Sequence, residues 1–124
     1  MIRNDYRRAL IMLRGLEKGY SGHMRLERRT LRGSMQFSIT APNGGELRAA
    51  IIARKPGTYA AEDLGALVRD GRGQAGLNAT IDPRNILGND LDECPLVAVA
   101  LVAPPEVRVV LTGNLNGSCE IDWA

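Results

Sequence analysis

Past Gly22, no stretch of this chain runs far before a turn-forming residue interrupts it. Leu31–Gly33, Asn43-Gly44-Gly45, Lys55-Pro56-Gly57, Asp70-Gly71, Asp82-Pro83, Gly88, Pro95, Pro104-Pro105 and Asn116-Gly117 punctuate the sequence. Their spacing is near the roughly eight to twelve residues that separate turns in antiparallel all-β domains. Intervals that short hold a strand but not a helix of several turns. Between the turns the hydropathy often has a period of two. In "SMQFSITA", Met35, Phe37, Ile39 and Ala41 alternate with Ser34, Gln36, Ser38 and Thr40, the pattern of a half-buried strand. "HMRLERR", "ELRAAIIAR", "LGALVR", "QAGLNATI", "PLVAVALVA", "VRVVLTG" and "SCEIDWA" complete the set. "PLVAVALVA" is apolar on both faces, so its outer side needs a cover.

The N-terminal segment reads differently. At 100° per residue, Ile2, Tyr6, Ala9, Met12, Leu13, Leu16 and Tyr20 share one arc, and Arg3, Arg7, Arg14 and Lys18 lie nearly opposite. Asn4 or Asp5 is placed to cap the start and Gly19 the end. The wheel predicts an amphipathic helix over about residues 4–18. A helix of that length is marginal alone, so its apolar face is expected to dock on the sheet or on a second subunit. "DPRNILGNDLDECP", residues 82–95, predicts one short helical turn opened by Asp82-Pro83 and stopped by Gly88, followed by an acidic loop.

The expected fold is therefore mainly β: an antiparallel β-sandwich or barrel of about seven to eight short strands over about residues 22–124, preceded by one N-terminal amphipathic α-helix. A chain of 124 residues fits a single domain spanning 1–124. No apolar run approaches the length of a membrane helix, and two cysteines, Cys94 and Cys119, do not make a disulfide scaffold. A cytoplasmic location with reduced thiols and no membrane partner is expected.

Charge is uneven. The first 33 residues carry nine Arg/Lys against three acids, +6; the remainder carries seven against eleven, −4. Such a division suits an anionic partner, or attraction between head and body within or between chains. The candidate anion-binding residues are Arg3, Arg7, Arg14, Lys18, Arg25, Arg28, Arg29 and Arg32. Nucleic acid is the weaker form of that reading, because single-strand binding sheets display stacking aromatics and the residues alternating with Phe37 are Ser, Gln and Thr.

Catalytic equipment is thin. His23 has Ser21 nearby but no nucleophile elbow. Cys94 sits beside Asp92 and Glu93, which disfavour a thiolate. Asp82, Asp90, Asp92 and Glu93 lack the register of a calcium loop, and "DGRGQ" lacks a phosphate-loop lysine. No catalytic residue, metal or cofactor is assigned. The expected function is a small soluble non-enzymatic interaction or structural module, self-associating into a homo-oligomer. The alternative is nucleic-acid or anionic-ligand binding through the basic segment. A third reading is an enzyme whose site only the fold assembles.

Overall fold

A computed structural model describes residues 6–42 and 44–116. The described chain is antiparallel β, with strands β1 Arg7–Gly15, β2 Ser21–Arg28, β3 Gly33–Thr40, β4 Glu46–Lys55, β5 Thr58–Ala66, β6 Val68–Arg69, β7 Gln74–Ile81, β8 Leu96–Ala103 and β9 Glu106–Asn114. They form one nearly closed, barrel-like sheet in the order β5-β4-β8-β9-β1-β2-β3-β7-β6.

The predicted N-terminal helix is not there. Residues 7–15 are β1, which pairs with β2 from Arg7–Arg28 to Leu13–Gly22. Ile11 and Leu13 point into the core, while Leu10 (61% exposed) and Met12 (70%) point out. The physical reason is backbone pairing. A helix here would leave the edge of β2 without a partner along its length, and unpaired strand N–H and C=O groups are costly to bury. Because both faces of "ALIML" are apolar, the wheel found a stripe that the strand does not use. Tyr6, expected on the buried arc, is 45% exposed. Residues 1–5, with the proposed cap and Arg3, lie outside the described residues, as do Cys119 and the expected last strand "SCEIDWA". The strand count rises because β1 replaces the helix and because the expected strand "LGALVR" is divided at Leu67 between β5, which already pairs with β4 from Thr58, and β6, which pairs with β7.

The helical turn predicted after Asp82 is displaced. Asn85 N donates to Asp82 O in a simple turn, Leu87 and Gly88 take positive φ, and a 3₁₀ turn forms later at Leu91–Glu93. Asp90 caps it: its side chain accepts from Asp92 N, and Glu93 reaches back to Asp90 N. The capped turn buries Leu91 and Cys94 against the core.

That core is a single main cluster in which Met24, Met35, Phe37, Ile39, Leu47 and Ile51 are fully enclosed. With one phenylalanine, the interior is filled by aliphatic side chains and Met, whose flexible thioether suits irregular gaps. Two strands turn corners between the halves of the sheet. β1 pairs with β2 along Arg7–Leu13 and then with β9 through Arg14–Thr112 and Gly15–Leu111. The β5–β6 segment pairs first with β4 and then, through Val68 and Arg69, with β7. Leu67, at its kink, donates its N–H to Leu47 O.

Candidate functional site

Alternation along β1 sets out one face: Arg8, Leu10, Met12 and Arg14 on the outside of the barrel. The register places Arg8 opposite Glu27, Leu10 opposite Arg25 and Met12 opposite His23. On β3, Gln36 lies opposite Arg25 and Ser38 opposite His23. A shallow groove of about 500 Å³ crosses this face, lined by Arg8, Leu10, Arg25, Glu27, Ser34 and Gln36. Among the described residues, Arg8, Arg14 and Arg25 have no hydrogen-bond or ion-pair partner. Two large exposed apolar side chains bordered by unpaired guanidiniums resemble the core and rim of a protein interface.

The other basic residues divide sharply. Arg28 is only 5% exposed. Its Nη1 and Nη2 donate to Asp90 Oδ1 and Oδ2 at 2.8 and 2.9 Å, and Asp92 Oδ1 stands 3.2 Å from Nη1. That bidentate clamp fastens the 82–95 segment to the end of β2, so Arg28 is structural. Arg7 is structural too: its Nη1 donates to Asn116 Oδ1 (3.1 Å) and its Nη2 to Leu115 O (2.8 Å). Arg29 donates through Nε to Glu27 Oε1 and lies over the Tyr6 ring, 5.6 Å from its centroid. Arg14, Lys18, Arg25 and Arg32 are exposed. The eight candidates therefore do not form one site. Arg14 and Arg25 share the β1–β2 face; Arg8, which sequence reasoning passed over, joins them there. The alternation Arg8-x-Leu10-x-Met12-x-Arg14 was the available signal.

A second concavity lies where β5 and β7 splay apart. Among the described residues no backbone hydrogen bond joins these strands; Leu77 Cδ1 comes within 4.0 Å of where a Cβ on Gly65 would stand. The resulting cleft of about 400 Å³ is lined by Glu62, Asp63, Leu64, Asn78, Ile81 and Asp82 among others. Its wall is acidic over an apolar floor. Asp63 also takes Nη2 of Arg48 at 2.6 Å, and that guanidinium holds its carboxyl below the usual carboxylate range.

Little here serves covalent chemistry. Cys94 is buried, and desolvation, reinforced by Glu93, Glu62 and Asp90, pushes its thiol up to about 11, the opposite of an activated nucleophile. Among the described residues no three His, Cys, Asp or Glu side chains gather as a metal would require, and no helix is long and apolar enough to cross a membrane. No family model matches the chain, and neither curated proteins nor solved structures yield a significant match.

Proposed function

We propose that this protein is a small cytoplasmic, non-enzymatic interaction module that self-associates through the outer face of β1 and β2. The observation that carries the reading is the pair Leu10 and Met12, 61% and 70% exposed on neighbouring outward positions of a central strand. Single exposed apolar residues are ordinary on a protein surface; two adjacent large ones framed by three unpaired arginines are the composition of a docking patch. Removing both from water on association contributes on the order of 3 kcal/mol. A second copy is the chosen occupant because the same chain carries an acidic surface to receive a basic one.

The test is sedimentation velocity with light scattering at low and high salt, on the wild type and on the Leu10→Ser/Met12→Ser double variant. The wild type is expected to associate at tens of micromolar. The variant is expected to stay monomeric with stability within about 0.5 kcal/mol of wild type. A wild type that is monomeric under every condition overturns the reading.

A second reading has one observation in its favour: Arg8, Arg14 and Arg25 are unpartnered and share a face, as phosphate-contacting residues would. Their neighbours Ser34, Gln36 and Ser38 offer hydrogen bonds but no aromatic ring for base stacking. Titration with labelled single- and double-stranded oligonucleotides at low salt separates the two readings. Binding that the Arg8→Glu/Arg25→Glu variant loses, and that weakens steeply with salt, favours the anionic partner.

A further inference from the structure

We propose that the surface receiving the β1–β2 face is the open cleft between β5 and β7, so that copies of this chain join head to tail. This rests on the self-association reading and goes past it by naming the second half of the interface and its symmetry.

Three observations converge. The first is chemical match. One surface presents Leu10 and Met12 flanked by Arg8, Arg14 and Arg25; the other presents the half-buried Leu64 and the exposed Asn78 and Thr80, flanked by Glu62, Asp63 and Asp82. The charges of the two surfaces are opposite, and Leu64 offers an apolar contact to Leu10 and Met12. The second is repulsion against the alternatives. A two-fold contact of the β1–β2 face with itself would bring arginines of both copies together. A two-fold contact through the cleft would do the same with carboxylates. Like charges so placed disfavour both isologous arrangements. The third is position. β1 is fifth of the nine strands, so it stands about midway round the barrel from β5 at one end of the order and from β7 and β6 at the other. Complementary surfaces on opposite sides of one particle cannot both be satisfied in a closed pair, and they generate chains or rings.

The cleft is also where this barrel has vacant strand edges. β7 pairs with β3 along its whole length but with β6 only at Ala75 and Gly76, leaving the other edge of Leu77–Ile81 without a strand partner among the described residues. Exposed edges recruit other chains unless they are blocked. Carboxylates on both walls discourage a second acidic edge and favour a basic face.

The experiment uses two variants of the full chain. Arg8→Glu/Arg25→Glu damages the face; Glu62→Gln/Asp82→Asn removes two of the three cleft carboxylates, leaving Asp63 paired with Arg48, while keeping groups that can still hydrogen-bond, including the Asp82 side chain's contact with Arg84 N. Every head-to-tail contact uses one face and one cleft, so each variant alone is expected to associate at least about tenfold more weakly than wild type. Mixed in equal amounts, the intact cleft of the first receives the intact face of the second. The mixture is expected to form a 1:1 dimer that does not grow, whereas wild type grows past the dimer with concentration. If Glu62→Gln/Asp82→Asn associates as wild type does, or the mixture stays monomeric while wild type associates, the cleft is not the receiving surface. Self-association through the β1–β2 face survives either outcome. Asn78→Arg, an exposed change on the cleft wall, is the second probe should the neutralised variant fold poorly; it too is expected to weaken wild-type assembly, and unchanged assembly overturns the proposal.

Discussion

The two corners of this barrel solve the same problem with opposite results. At the β1/β9 corner pairing is confined to Arg14 and Gly15, with Leu16 N donating to Val110 O just beyond, yet the rest of the gap is closed. Ile11 and Leu13 pack over Gly113, where a Cβ would meet Leu13 Cδ2 at 2.5 Å and Ile11 Cγ2 at 3.0 Å. Arg7 spans the far end to Leu115 and Asn116. At the β5/β7 corner Leu64 and Leu77 pack on the core only half-buried, and Glu62, Asp63 and Asp82 line the cleft that remains. Apolar filling against a glycine, with one cation reaching across, seals the first splay; the second keeps a cleft lined by carboxylates. The sealed corner buries more apolar surface, and the open one is the surface proposed above to receive a second copy.

The largest expected effect comes from releasing the segment that leaves the open corner. Asp90→Ala leaves the Arg28 guanidinium buried without its bidentate partner and removes the cap of the 3₁₀ turn, a loss of about 3 kcal/mol in urea denaturation. A loss below about 1 kcal/mol would mean that the clamp does not fasten residues 82–95. Next comes truncation on either side of the comparison. Ile11→Ala at the sealed corner is expected to cost about 2 kcal/mol and Leu64→Ala at the open one about 1 kcal/mol, by thermal unfolding. Equal losses would erase the distinction between the corners. Arg7→Ala should cost about 1 kcal/mol, its hydrogen bonds to Asn116 and Leu115 being replaced by water, with faster amide exchange in the first residues of β1.

The smallest effect reports on the open corner at a distance. Burial, with the fields of Glu93, Glu62 and Asp90, raises the Cys94 pKa from 9.0 to about 11. The folded state therefore prefers the thiol. This contribution to stability is fully present below pH 9 and is lost as pH rises through about 11. In a Cys119→Ser background, Cys94 should resist alkylation at pH 8. Glu62→Gln should bring its pKa slightly down, and no shift would show that the cleft carboxylate does not act on the thiol.

Strands with one polar face were legible: β3 announces itself through Ser34, Gln36, Ser38 and Thr40, and its turn through Gly44 and Gly45, which take positive φ. β1 was not, because its outward residues include Leu10 and Met12; an apolar run with no polar alternation satisfies a helical wheel as readily as a strand. β5 was read short because Thr58, Ala60 and Ala61 give no large apolar alternation. The binding surface was half legible for a related reason. Composition identifies a basic head, but Arg28 meets Asp90 62 positions away and Arg7 meets Asn116 109 positions away, and nothing local to either arginine marks it as consumed.

Everything turns on β1 being a strand that presents Leu10 and Met12 outward. Backbone NMR tests this most directly, whatever the state of association. The structure predicts extended-chain secondary shifts through Arg7–Gly15, with cross-strand contacts from Ala9 to Leu26 and Ile11 to Met24, and from Arg14 to Thr112 on the opposite side. Helical shifts over these residues, with contacts between positions three and four apart and none to β2, would contradict it.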